Sequence, residues 1–193
     1  MYKKILSIVL VSALTLTMFF AFGLTSFATN DVDSFFYIRG TKFICNGSYC
    51  YVAGTNAYYL FTKQYGGSGS GITIDKAEID KRMAEMEDIG MNVIRVWGFG
   101  STGGYTFETA PGVYNEGTFT VMDYVLYSAQ QHNIKVIITL ENYWGDYGGI
   151  DAKLEWAGAS GGSHVARRAW YTNAKCQQWY KNYFNYFANR VNT

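Results

Sequence analysis

The sequence predicts an α/β fold made of parallel βα units, the front part of a (β/α)8 TIM barrel, after an N-terminal β-hairpin. Three observations carry that prediction. Short apolar stretches alternate with longer stretches of helical periodicity, in the order strand, helix, strand, helix, strand, helix. The strand stretches are apolar enough to be covered on both faces, as parallel strands are. The strand-to-helix loops are long, aromatic and Gly-rich, whereas helix-to-strand turns such as Ile89-Gly90-Met91 are short. That asymmetry fits a barrel whose working face is built from its βα loops. A doubly wound open sheet shares the alternation, but its nucleotide fingerprint is missing. A whole barrel takes about 250 residues. The 193 residues here supply about three βα units, so the chain is expected to be a truncated barrel.

Residues 1–28 read as a secretory signal peptide. Lys3 and Lys4 open it, an apolar run over 5–24 follows, and Ser26 and Ala28 supply the small residues that guide cleavage. An uncleaved membrane anchor is the alternative, because the apolar run is close to spanning length. Residues 29–193 then form one domain. FFYIRG and KFIC flank a first turn, and Asn46-Gly47 marks a second, a strong hairpin signal. A first barrel strand lies within YCYVAGTNAYYL (49–60). YGGSGSG (65–71) is a Gly/Ser loop without the lysine of a phosphate loop.

A helix is predicted over 75–89, with Ile79, Met83, Met86 and Ile89 on one face and Gly90 as its stop. A strand follows over 92–97. A long loop, 98–117, carries the only proline, Pro111. A second helix spans 119–131, turning Phe119, Met122, Val125, Leu126 and Ala129 inward. Residues 135–140 form a third strand, buried on both faces. A loop rich in Gly and Trp follows, and a third helix begins near Asn173.

The segment NVIRVWGF (92–99) is the most informative for function. Alternate strand residues share a face, so Val93, Arg95 and Trp97 point one way and Asn92, Ile94 and Val96 the other. A guanidinium on a nearly apolar strand needs an anion or strong acceptors. A flat indole beside it offers a platform for a sugar ring. The aromatic share of 18% fits an aromatic-lined cleft, or a core that uses aromatics. A net charge of +1 gives no footprint for nucleic acid. Two distant histidines with no Cys or acidic cluster leave no metal site, and no cofactor is implied. Cys45 and Cys50 flank the hairpin turn and are a disulfide candidate, leaving Cys176 over.

From about residue 36 to 192 the chain resembles the amino-terminal part of a secreted endo-β-1,4-mannanase of glycoside hydrolase family 5. The resemblance lies in VAGTNAYYL (52–60), DIGMNVIRVWGF (88–99), HNIKVIITLENYWGDYGGID (132–151) and YTNAKCQQWYKNY (171–183), in that order and spacing. It implies a (β/α)8 barrel that hydrolyses internal β-1,4 bonds of mannan or glucomannan, with retention and two catalytic glutamates. A β-1,4-glucanase of the same fold and a non-catalytic carbohydrate-binding fragment are the alternatives. The family's acid/base sits in an Asn-Glu-Pro motif after the fourth strand, which this sequence lacks; its nucleophile follows the seventh. Both glutamates are therefore expected beyond Thr193, and the chain alone is expected to be inactive. The resemblance implies that Arg95 orients the nucleophile and that Trp97, Asn142, Trp144 and Asp146 contact substrate. Asn56 and Tyr58, at the end of the first barrel strand, are further cleft candidates. Glu141 ends the third strand and is the tempting local carboxylate, or else a partner for Arg95 or Lys135. The whole protein is expected to be secreted and monomeric, with no membrane partner after signal cleavage.

Overall fold

A computed structural model of the chain describes residues 35–61, 75–102 and 106–191. The signal-peptide segment 1–28 and the Gly/Ser loop 65–71 lie outside the described residues. The chain divides into two units, 1–51 and 52–193.

In the first unit, Asn46 and Gly47 both take positive φ, 52° and 75°. Two successive positive φ values are what a tight hairpin turn between right-twisting strands requires. The turn joins β2 (Lys42–Cys45) to β3 (Ser48–Cys50), and β1 (Tyr37–Arg39) pairs antiparallel on the other side of β2. The register places the two candidate cysteines on one face of this hairpin. Cys45 faces Ser48 and Cys50 faces Phe43, so the two are diagonal rather than opposed, and both are free thiols.

In the second unit, β4 (Gly54–Asn56), β5 (Val93–Trp97) and β8 (Lys135–Thr139) form a parallel sheet in that order. The crossovers are α1 (Lys76–Asp88) and α2 (Glu116–Gln131). Asp75 caps α1 by accepting from the Glu78 amide, and Asn115 caps α2 by accepting from that of Gly117. The second helix thus starts three residues earlier than the apolar periodicity predicts, because the cap and not the first core residue sets its end. Ile94 and Val96 of β5 are fully buried, with Val136 and Ile138 of β8 packed against the same core. Ile79 and Met83 of α1 and Phe119, Met122, Val125 and Ala129 of α2 complete it. Ile89, expected on the inner face, caps α1 and is exposed.

Three features depart from expectation. The 98–117 loop folds part of itself into a small hairpin, β6 (Glu108–Ala110) with β7 (Val113–Tyr114), turning at Pro111-Gly112. The Gly- and Trp-rich segment contains α3 (Gly149–Trp156), α4 (His164–Arg167) and a 3-10 turn (Arg168–Tyr171) before α5 (Ala174–Ala188). The third strand is covered on one face only: Ile137 is 53% exposed. β8 ends the sheet among the described residues, and its Ile137 shares a row with Asn56 and Arg95, on the face opposite the helices.

Polar ties hold the helices to one another and to the end of β5. Asp80 accepts hydrogen bonds from Tyr124 and Ser128, each at 2.7 Å. Arg190, just past α5, grips Asp123 of α2 with Nε and Nη2 (2.9 and 2.7 Å) and Glu116 with Nη1 (2.8 Å). Tyr183 of α5 donates to the Gly98 carbonyl at 2.5 Å, just past β5.

Candidate functional site

The carboxyl ends of β4, β5 and β8 bring the candidate residues to one place, for a reason set by the pleat. Asn56 lies opposite Arg95, and Arg95 opposite Ile137, so the three share one face. Arg95 Nη1 donates to Asn56 Oδ1 at 3.1 Å. The guanidinium on the apolar strand is thus held from β4 by a neutral acceptor, with its charge left uncompensated by that bond.

Trp97, two residues on, sits in an aromatic group. Its ring centroid is 4.8 Å from Tyr58, 5.1 Å from Phe99 and 5.6 Å from Tyr147, the last nearly perpendicular at 89°. Such tilted and edge-on pairs are the favoured aromatic geometries. Tyr147 was not singled out from sequence; its signal was its place in the DYGG turn, where it takes φ 57°. Trp97 Nε1 is enclosed and has no acceptor among the described residues.

The loop after β8 is organised by Asn142. Its Oδ1 accepts from the Trp144 amide (3.1 Å), its Nδ2 donates to the Asp146 carbonyl (3.4 Å), and its carbonyl accepts from the Ile150 amide (2.9 Å). Asn142 therefore shapes the loop with the groups that substrate contact would use. Trp144 is 51% exposed, and Asp146 is exposed. Gly149 starts α3 at φ +47°, and a Cβ there would collide with the Trp144 and Asn142 carbonyls. Only glycine allows the helix to start so close under the loop.

Glu141 partners neither Arg95 nor Lys135. It is buried beside Lys153 of α3, whose Nζ lies 3.4 Å from Glu141 Oε2, 3.6 Å from Glu108 Oε2 and 2.7 Å from Ser101 Oγ. Burial pushes the Glu141 carboxyl above its usual range, and the Lys153 charge opposes this only in part. The two buried carboxyls share one cation and are closed over by it. Among the described residues their side chains are only 2% and 10% exposed, so this acidic pair does not resemble a retaining hydrolase's pair. Lys153 and Glu108 were invisible as partners in the sequence, where they stand far apart. Cys176 is buried against the same region and donates to the Lys153 carbonyl at 3.5 Å.

Among the described residues, no group of three or more His, Cys, Asp or Glu side chains is arranged to hold a metal ion. Aromatic rings, one guanidinium and amide groups are instead what gathers at the strand ends, side chains of the kind that can meet hydroxyl groups and apolar ring faces.

Comparison with known proteins agrees in family. Residues 33–193 match a family model described as GH family 5 beta-mannosidase-like. The chain is 36% identical over 155 residues to mannan endo-1,4-beta-mannosidase 1 of Arabidopsis thaliana, covering 80% of this chain and 36% of that protein. It is 35% identical over 169 residues to mannan endo-1,4-beta-mannosidase A of Hypocrea jecorina, covering 82% of this chain and 35% of that one. Among solved structures it is similar to the endo-1,4-beta-mannanase from Rhizomucor miehei, with TM-score 0.67 and 29% identity over 82% of this chain and 43% of that chain. The chain thus spans less than half the length of these relatives.

Proposed function

The chain belongs to the β-mannosidase-like family within glycoside hydrolase family 5, and from that premise we propose that it forms part of a secreted endo-β-1,4-mannanase. The reaction is hydrolysis of internal mannosidic bonds in mannan or glucomannan by a retaining mechanism. Two carboxyls roughly 5 to 5.5 Å apart are needed for it, one attacking the sugar and one donating a proton. Neither belongs to the closed Glu108–Lys153–Glu141 group, so the proposal places both in segments that this sequence does not contain. What this chain contributes is one wall of the substrate cleft.

The observation that carries the proposal is the row at the strand ends, Arg95 tied to Asn56 beside the Tyr58–Trp97–Tyr147 aromatic group. Among the described residues Arg95 is bonded through Nη1 to a neutral amide, and its remaining donors can serve a carboxylate. Its charge would hold a nucleophilic glutamate in the ionised form. Trp97 lines the cleft, and Trp144 stacks on a sugar at its rim. Asn142 acts by shaping the loop, and Asp146 is left as an exposed acceptor for sugar hydroxyls. Secretion is supported by the 5–24 apolar run with Ser26 and Ala28 after it.

Affinity electrophoresis of the full chain tests this reading. In a native gel containing soluble mannan the chain should be retarded, and Trp144→Ala should restore its mobility. No reducing sugar should be released. Equal mobility with and without mannan overturns the cleft assignment. Turnover overturns the placement of the carboxyl pair outside this sequence. Stronger retardation by a β-1,4-glucan favours the glucanase alternative.

A further inference from the structure

We propose that Arg167, held by Asp151, is the positioning residue that fixes the Trp144 ring for stacking on substrate. This rests on Trp144 being the sugar-stacking residue proposed above. An indole half exposed on a loop tip has rotamer freedom, and freedom lost on binding weakens affinity. A stacking platform therefore needs something underneath it. Arg167 is that support: its Cζ lies 5.3 Å from the Trp144 ring centroid and 5.5 Å from that of Tyr143. Both distances are within cation–π range.

The guanidinium is itself immobilised. Its Nε and Nη2 donate to the two carboxylate oxygens of Asp151 at 2.9 and 2.6 Å, a bidentate fork. Arg167 is 8% exposed, although it ends the short helix α4. With its edge committed to Asp151, its flat faces remain for the rings, a division of labour that lysine cannot reproduce. The hydrogen bonds from Arg167 lower the Asp151 carboxyl below its usual range, so the pair stays charged under ordinary conditions.

The carboxylate also gathers the two loops that flank it. The Gly162 amide donates to Asp151 Oδ1 at 3.0 Å. A Cβ at Gly161 would lie 2.6 Å from that same oxygen, and one at Gly145 would lie 3.0 Å from Oδ2. Gly145 follows Trp144 directly, so the loop bearing the indole is pressed onto the anion that holds the cation beneath it. His164 closes the group, with its Nδ1 2.9 Å from the Tyr143 hydroxyl and its ring 5.2 Å from that of Trp144. A pair serving only to close the loop would need no guanidinium face under two rings.

The test uses the full chain labelled with 5-fluorotryptophan, with the Trp144 resonance assigned by its loss in Trp144→Phe. Arg167→Lys keeps the charge and loses the fork. Gly161→Ala keeps both charges and crowds the carboxylate, and serves if the lysine variant does not fold. In either folded variant the Trp144 resonance should shift or split while those of Trp97 and Trp179 stay. Mannohexaose affinity should fall roughly five- to tenfold, with no further loss when Arg167→Lys is added to Trp144→Phe. An unmoved Trp144 resonance in a folded variant overturns the proposal, as does an affinity loss that persists without Trp144. If the resonance follows Arg167 but the wild-type chain does not bind mannohexaose, the clamp stands and the sugar-stacking assignment fails.

Discussion

Glu141 shows how burial can turn a plausible catalytic residue into a structural one. Its carboxyl is pushed above the usual range by desolvation, so the folded chain holds that proton more tightly than the unfolded chain. The stability this contributes is present below the ordinary glutamate pKa of about 4.3 and is lost as pH rises through the higher folded value. Glu141→Gln removes the titration, because the amide stays neutral. Thermal melts from about pH 4 to about pH 8 should show the wild type losing stability relative to Glu141→Gln as pH rises. A difference independent of pH would mean that Glu141 holds its proton equally tightly in the folded and unfolded chain. Arg95 carries the opposite lesson. Its unusual place on an apolar strand is visible in the sequence, and the Asn56 bond leaves donors that a carboxylate can use.

At the scale of elements, two turns limit what the chain tolerates. Gly149 joins the loop after β8 to α3 in a conformation closed to a Cβ, so Gly149→Ala should cost about 2 kcal/mol or more in urea melts. A cost below about 0.5 kcal/mol would show that the loop simply moves aside. The Asn46-Gly47 turn sets Cys45 and Cys50 two residues apart along the same hairpin face. Desolvation, then the neighbouring Cys45 thiol, push the Cys50 thiol up. Incubation with oxidised glutathione should link Cys45 to Cys50 and leave Cys176, buried under Lys153, unmodified until the chain unfolds. Peptide mapping reads this directly; a modified Cys176 in the native chain would contradict its burial.

For the molecule as a whole, the sheet β4-β5-β8 offers β8 an unpaired edge among the described residues, with Ile137 exposed on its open face. Open parallel edges beside apolar surface promote association. Light scattering should therefore rise with concentration, and Ile137→Lys should suppress the rise; a concentration-independent monomer would show the edge to be protected. The helical side is held by Arg190 across Asp123 and Glu116. Arg190→Met leaves the buried Asp123 charge unpaired and should cost roughly 3 to 5 kcal/mol, read as a lowered Tm. If the N-terminal segment directs export, sequencing of the secreted protein should begin just after Ala28.

Periodicity and caps alone determined much of this chain. The alternation of strand and helix, the inward faces of α2 and (Ile89 apart) of α1, and the shared face of Arg95 and Trp97 follow from repeats of 3.6 and 2 residues, while Asn173 sets the start of α5 as a cap. Such repeats are local properties, readable without knowing what lies opposite. The small hairpin at Pro111-Gly112 escaped because its strands are three and two residues long, and the eight-residue helix α3 because Gly148 caps it with no side-chain hydrogen bond. Partnerships across the fold were decided only by tertiary structure. Lys153 meets Glu141 and Glu108, Arg167 meets Asp151 and Trp144, and Tyr147 joins Trp97. Charges and rings find such partners where the backbone brings distant segments together, and local sequence spacing carries no record of that meeting.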